Sequence, residues 1–409
     1  MAVRNIEGRI KVLRIIGRLN VGGPAIHVVN LTAGLDPQRY QSLLVTGSEN
    51  EAEGSMLDFA LSHSVKPTVI PEIITAFSLA PRDGKALWKL YGLMRKEQPH
   101  IVHTHTAKAG FLGRLAARLA GVPIIVHTFH GHVLDGYYGP VKNALLRRIE
   151  QSLAWLSDRL VTVSEQVKND LISYGVAKAE KISVVPLGFD LDPFLNAHAH
   201  QSEFRRELGF ADHHKLIGIV GRIFPIKNHA LFLDAAARIS ARERNARFII
   251  VGDGVLRPML EKQASHLGIA DRVLFTGWRR DLPRICADLD ALVVSSDNEG
   301  TPVSAIEAMA SSCPVVATRV GGLPDLIEDH KTGRLIPPRD AEALASAVLV
   351  LLTSPRIART IGQNAQESVH QRFTVQRLFR DMDNLYTQLL AEKSITVPMT
   401  EKLVGSGVI

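Results

Sequence analysis

Short apolar runs alternate with amphipathic stretches along the whole chain, the pattern of parallel strands buried on both faces and covered by helices. In the first half, Ile10–Gly17, Ser42–Gly47, Val65–Pro71, Ile101–Thr104, Ile124–Thr128, Leu160–Ser164 and Ile182–Pro186 read as strands. Ala107–Ala120 and Val141–Leu156 read as helices between them. The passage Pro186-Leu187-Gly188-Phe189-Asp190-Leu191-Asp192-Pro193 breaks the pattern and predicts a linker. The alternation then restarts, with strands at Lys215–Gly221, Phe248–Gly252, Val273–Gly277, Ala291–Ser295 and Val315–Thr318. Helices are expected at Asp340–Leu352, Ile357–Gln371 and Val375–Ala391. The fold class is therefore α/β, with two doubly wound Rossmann-like domains over residues 1–187 and 188–374 and ligands held where strand C-termini open. Residues 375–392 form a final helix, and the aperiodic residues 393–409 a flexible tail.

The most informative chemistry lies in residues 297–318, where Glu299 and Glu307 flank a glycine-containing turn that opens a helix. Thr301 suits the N-cap and Pro302 the first helical position, which leaves the amides of Val303 and Ser304 pointing out of the helix start. Such amides, with Gly300 before them, make an anion site suited to phosphate. Glu307 lies about 9 Å of helix rise further on, in reach of a neighbouring ribose. Glu299, before the turn, faces the phosphate's other substituent. Glu-x7-Glu followed by Ala-Met-Ala and Pro-Val-Val-Ala resembles the signature of the family-four retaining glycosyltransferases of GT-B fold, with Cys313 where that family often has glycine. The resemblance implies that Glu299 contacts donor-sugar hydroxyls and Glu307 the nucleotide ribose. It also implies that the final helix crosses back onto the first domain and that the two domains face a central cleft.

Further motifs follow the resemblance in order along nearly the whole chain. Gly22 and Gly23 follow the first strand and precede a helix, where glycines let backbone approach a ligand. Gly-Gly-Pro lacks the third glycine of a dinucleotide fingerprint, so a nicotinamide enzyme fits poorly. In the family a similar pair lines the cleft opposite the donor diphosphate. Arg222 and Lys227, on the loop after the first strand of the second half, match the family's pair and can neutralise a diphosphate leaving group without metal. In His127-Thr128-Phe129-His130-Gly131-His132 the family's His-Gly pair selects His130 as the cleft histidine, with His132 as the alternative. His103 and His105 end a neighbouring strand, but no carboxylate or cysteine completes a familiar metal set with them, so no metal is expected. Gly252-Asp253-Gly254 and Gly277-Trp278-Arg279-Arg280 are turns after strands. The family holds its base near the second of these, which leaves Trp278 or Arg279 to cover the ring. Asp288-Leu289-Asp290 imitates a metal motif but precedes a buried strand and reads as structural.

Composition narrows the partners. The 409 residues exceed one ordinary core, and 46% apolar with 22% charged residues is globular. Two cysteines, Cys286 and Cys313, at no metal-ligand spacing fit a reducing cytosol, and neither a signal-peptide core nor a run long enough to span a membrane is found. Of the net charge of +7, residues 1–190 hold +6, from 22 Lys/Arg against 16 Asp/Glu. The basic, partly apolar stretch with Lys142, Arg147 and Arg148 suits either a solvated helix face or an anionic membrane surface. Basic residues without interleaved aromatics argue against nucleic acid.

The expected activity is transfer of a sugar, with retention, from a nucleotide diphosphate donor, UDP-linked, to a hydroxyl of a saccharide or lipid-linked acceptor in polysaccharide or surface glycan synthesis. No cofactor is expected, and the place of action is the cytoplasm or the inner membrane face. Double displacement would need a carboxylate nucleophile that the sequence does not offer, so front-side attack is expected. A nucleotide-sugar 2-epimerase of the same fold and a non-catalytic sensor are the alternatives. Donor and acceptor choice rest on loops such as Ile73–Pro81 and Asp135–Pro140.

Overall fold

The computed structural model describes residues 4–5, 8–48, 54–74, 80–131, 134 and 139–396. The chain divides into two units. Unit 1 contains residues up to Thr162, then Asp170–Val185 and the chain from Leu378 onward; unit 2 contains Val163–Asn169 and Pro186–Arg377.

Unit 1 is built on a seven-stranded parallel sheet ordered Thr68–Val69, Tyr40–Thr46, Ile10–Ile16, Ile101–His105, Ile124–Phe129, Arg159–Thr162 and Ile182–Val184. Every residue of Ile124–Phe129 is buried, as both faces of a parallel sheet require. On one face, the final helix Val375–Glu392 places Leu378, Met382, Leu385, Tyr386, Leu389 and Leu390 on one stripe. This stripe packs on Ile10, Val12, Ile101 and Ile124. Each such side chain contributes roughly 1.5–3 kcal/mol by leaving water. A polar tie adds direction: the Tyr386 hydroxyl meets His103 Nδ1 at 2.6 Å, while His103 Nε2 meets Thr128 Oγ1 at 2.7 Å.

Unit 2 has a six-stranded parallel sheet ordered Val273–Gly277, Ala246–Val251, Lys215–Val220, Ala291–Val294, Val315–Thr318 and Arg334–Ile336. In chain order this is 3-2-1-4-5-6, so the crossovers change direction between Lys215–Val220 and Ala291–Val294. The loops after these two strands start side by side at the sheet's C-terminal edge. In unit 1 the equivalent switch lies between Ile10–Ile16 and Ile101–His105, where Thr106 Oγ1 accepts the Gly17 amide at 3.1 Å.

The structure differs from the sequence reading at the edges. Val65–Pro71 yields only the strand Thr68–Val69, and Arg334–Ile336 is an additional edge strand. Residues 395–396 do not fray with the tail: Ile395–Thr396 pairs in parallel with Arg4–Asn5, and Ile395 is buried. The rest of the tail, 397–409, and the loop positions 75–79 and 135–138 lie outside the described residues. Among the described residues no single helix is long and apolar enough to cross a membrane. The helices Ala341–Thr353 and Pro355–Arg372 pass such a test only as a pair bent by 102°, and Leu344, Val348, Leu351 and Ile361 from them sit in unit 2's core.

Candidate active site

The loops after strands Lys215–Val220 and Ala291–Val294 are stitched together by their own backbones. The Asp297 amide donates to Ile226 O at 2.9 Å, and Ser295 Oγ donates to the carbonyls of Lys227 and Asn228 at 3.0 and 2.9 Å. Asn228 Nδ2 donates to Asp297 Oδ1 at 3.1 Å, and its own Oδ1 caps the helix His229–Arg242 by accepting from Leu231 N. Two glycine turns press on this pair of loops. A Cβ at Gly252 or Gly254 would fall 2.1 Å from Gly221 O or 2.3 Å from Ile223 O. A Cβ at Gly321 or Gly322 would fall 1.8 Å from the carbonyl oxygen of Glu299 or Gly300. No side chain fits at such distances, so these turns fix the loop positions.

The Lys227 ammonium donates to Glu299 Oε1, and Ser296 Oγ donates to the same oxygen at 2.6 Å. Both groups border a small pocket with Gly221, His229, Ser296 and Ser304, lined below by Ile219 and Val293. Lys227, Glu299 and Ser304, separated by up to 77 positions in the sequence, thus share one pocket. The Arg222 guanidinium on the same loop lies over Phe224, 5.9 Å from the ring centroid.

The helix start differs from the expected one. Thr301 does not cap it: the helix is Val303–Ala310, Pro302 occupies the cap position with extended ψ of 120°, and no side chain caps the end. The Gly322 amide holds Glu299 O at 3.0 Å, which ties the chain just before Gly300, and the first turn begins at Val303, one residue later than expected. Thr301 Oγ1 is buried without a hydrogen-bond partner among the described residues. Val303 and Ser304 remain in the first turn, where backbone amides have no intrahelical acceptor. Glu307 lies one turn on and is half-buried, and loss of water raises its carboxyl to about 7.

Arg279 does not stand free to cover a base. It is bidentate to Glu207 at 2.7 and 3.1 Å and to Asp281 at 2.8 and 2.6 Å, which raises its pKa further. Trp278 beside it is 42% exposed. Asp288 and Asp290 are structural as expected: they accept from the amides of Ser202, Arg205 and Leu216 and from the Arg205 guanidinium.

In unit 1, Gly22 caps the helix Gly23–Gly34, with Pro24 in its first turn. His130 lies just past the strand Ile124–Phe129, and its Nε2 meets His105 Nδ1 at 3.1 Å. His27, from the Gly23–Gly34 helix, completes the group, its ring 5.0 Å from that of His130 and 5.7 Å from that of His105. The histidine cluster is thus His27, His105 and His130, since His103 is committed to Tyr386 and Thr128. Burial lowers His130 to about 3 and holds His105 well below the usual imidazole range, so both rings are uncharged near neutrality. The three rings offer ligand atoms within 4.8 Å of one another, a spacing the sequence did not reveal. The group contains no carboxylate, and the buried Arg14 charge acts on His105. His132 lies outside the described residues.

Sequence reasoning missed Ser296, Asn228, His229, His27 and the Gly321–Gly322 turn. The glycine doublet three residues past a predicted strand and the position of Asn228 and His229 beside Lys227 were the local signals available; Ser296 and His27 become visible only in the structure.

The matches to known proteins follow the same division. Residues 21–193 match the model for Glycosyltransferase Family 4, and residues 200–368 that for Glycosyl transferases group 1. The UDP-Gal:alpha-D-GlcNAc-diphosphoundecaprenol alpha-1,3-galactosyltransferase of Escherichia coli is 31% identical over 83% of this chain and 88% of its own length. A D-inositol 3-phosphate glycosyltransferase of Corynebacterium glutamicum is 31% identical over 72% of this chain and 73% of its own. Among solved structures, Anabaena HepE in complex with UDP and glucose superposes with a TM-score of 0.81 at 22% identity, covering 93% of this chain and all of that one. The sucrose-phosphate synthase of Thermosynechococcus elongatus gives 0.79 at 23% identity over 94% of this chain and all of its own. The chain therefore belongs to the family-four glycosyltransferases and has their GT-B fold.

Proposed function

We propose that this glycosyltransferase moves a hexose, with retention, from a UDP-linked donor to a hydroxyl of a lipid-linked saccharide in polysaccharide or surface glycan synthesis. The observation that carries the reading is the Lys227–Glu299 contact beside the first-turn amides of Val303 and Ser304, at the switch point of unit 2. A cation, a carboxylate and free amides at a strand-order switch suit a ligand that is anionic at one end and rich in hydroxyls at the other. The E. coli relative is named for a UDP-Gal donor and a diphosphoundecaprenol-linked acceptor, which supports both substrate classes here.

In this reading the diphosphate takes the Lys227 ammonium, joined by Arg222 and the helix-start amides, and Glu299 turns to the sugar hydroxyls. Glu307 accepts from the ribose, and Trp278 covers the base. In unit 1, Gly22 and Gly23 give ligand atoms close access to backbone, and neutral His130 offers one hydrogen bond to a sugar hydroxyl. Charge developing on the departing diphosphate is met by Lys227 and Arg222, so the step runs without a metal or cofactor. Front-side attack is preferred because double displacement needs a carboxylate nucleophile on the opposite face of the sugar, and in this reading Glu299 is engaged with the sugar hydroxyls.

The acceptor brings the protein to a membrane surface. On the helix Pro140–Leu156, Val141, Leu145, Arg148 and Trp155 recur on one exposed stripe; Val141 and Trp155 are 84% and 77% exposed. A basic, aromatic-tipped stripe of this kind suits an anionic bilayer. Sedimentation with phosphatidylglycerol vesicles, and its loss in Trp155→Ser with Val141→Ser, tests this part.

The transfer itself is tested with UDP-hexoses and a polyprenyl-diphosphate-linked N-acetylglucosamine acceptor in EDTA, following UDP release and the anomeric proton of the product. Acceptor-dependent release with an α product is expected. A β product rejects retention, loss of turnover in EDTA rejects metal independence, and epimerised donor without acceptor rejects the transferase reading.

A further inference from the structure

His229 opens the helix His229–Arg242, immediately after the Asn228 cap and two residues after Lys227. Its side chain is 97% buried, with a relative exposure of 3%, yet neither ring nitrogen has a hydrogen-bond partner among the described residues. A neutral imidazole carries one donor and one acceptor, and leaving such groups buried and unpaired costs about 1–3 kcal/mol each. Leu231, Phe232 and Leu233 in the same turn fill their places with apolar side chains, so packing alone does not call for an imidazole here. The ring instead borders the pocket that Gly221, Lys227, Ser296, Glu299 and Ser304 share. An unsatisfied polar group that is buried from solvent but lines a pocket is satisfied by what enters the pocket.

Burial, with the neighbouring Lys227 charge, lowers His229 to about 4, so the ring is uncharged near neutrality. An uncharged donor suits this place. It gives an anion a further hydrogen bond without adding another cation beside Lys227, whose ammonium meets Glu299. Sugar and ribose hydroxyls have carboxylates to meet at Glu299 and Glu307; on the phosphate side of the pocket this ring joins Lys227 and the helix-start residue Ser304.

We propose that His229 is a ligand-contacting residue of the donor site, donating its ring N–H to a phosphate oxygen of a bound nucleoside diphosphate beside Lys227. The proposal rests on the reading above that such a diphosphate occupies this pocket.

The experiment is titration calorimetry of the full chain with UDP, UMP and uridine, and with GDP and ADP as controls for the base, on wild type, His229→Val and His229→Gln. Valine fills the buried volume without a polar atom, and glutamine keeps an N–H. The expected result is about tenfold weaker UDP binding by His229→Val, the size of one lost hydrogen bond to a charged group, with uridine binding unchanged and most of the UDP affinity retained by His229→Gln. Wild-type affinity for UDP in His229→Val, an equal loss for UDP and uridine, or an equal UDP loss in both variants overturns the assignment. A wild type that binds none of the diphosphates instead overturns the donor-site reading on which the assignment stands.

Discussion

The two units end their first and fourth strands in polar clusters of opposite character. In unit 2 the cluster is charged: Lys227 meets Glu299 and Ser296 at the edge of a helix start. In unit 1 it is made of His27, His105 and His130; burial keeps His105 and His130 uncharged, and the buried Arg14 charge acts on His105. In the proposed reading an anion is compensated in unit 2, whereas the three imidazoles of unit 1 offer hydrogen bonds suited to a hydroxyl-bearing ligand.

The largest effect should come from Lys227→Ala. Losing a preorganised cation at the leaving group lowers kcat by about 10²–10³ while donor affinity changes less, measured by steady-state turnover with a UDP-hexose. If donor affinity falls while kcat is unchanged, Lys227 serves binding uniformly and the contrast between the units loses its catalytic meaning.

Next in size is Gly322→Ala. Its Cβ would sit 1.8 Å from Gly300 O, so the turn must move and carry Glu299 with it. A loss of several kcal/mol is expected from a backbone clash of this kind, read from the urea midpoint, together with weaker UDP binding. The matched change in unit 1, His130→Gln, should leave UDP affinity within about twofold, because one neutral hydrogen-bonding group replaces another.

Glu307 sharpens the comparison through pH. Its folded pKa of about 7 lies above the ordinary 4.5, so its contribution to stability is fully present below pH 4.5 and is lost as pH rises through 7. Glu307→Gln should therefore gain stability relative to wild type between pH 5 and 8, followed by thermal unfolding at each pH. The ionised carboxylate is the better acceptor, so uridine affinity of the wild type should rise through pH 7 and that of the variant should stay flat. A flat wild-type profile would remove Glu307 from the ribose.

The smallest effect belongs to unit 1. Tyr386→Phe removes the 2.6 Å hydrogen bond to His103 and should cost about 1 kcal/mol in stability with no change in UDP affinity.

Much of this architecture is legible in the sequence, because parallel strands are buried on both faces and therefore stand out as apolar runs. Ala107–Ala120 and Val273–Gly277 have the same limits in the structure as in the pattern, and Val315–Thr318 likewise. Edge elements were the hard cases: Arg334–Ile336 and Ile395–Thr396 are too short to show a period, and their pairing depends on distant residues. The site divides the same way. Glu299, Lys227 and Ser304 belong to recognisable local motifs. The cap was misplaced because Gly322 N holds Glu299 O from 23 positions away, a contact no local propensity encodes. His27 looks like an ordinary helix residue until strand order brings it beside His130, and His229 looks like one until the structure shows its ring nitrogens buried and unpaired at the pocket.

The most direct test of the central claim, that the donor's diphosphate is held at the switch point of unit 2, is amide hydrogen exchange of the full chain with and without UDP. Slowed exchange in peptides covering 221–231, 295–307 and 320–323 is predicted, with Val303 and Ser304 among the protected amides. Protection confined to 22–31, 101–108 and 124–131, with the unit 2 loops unchanged, would contradict the account.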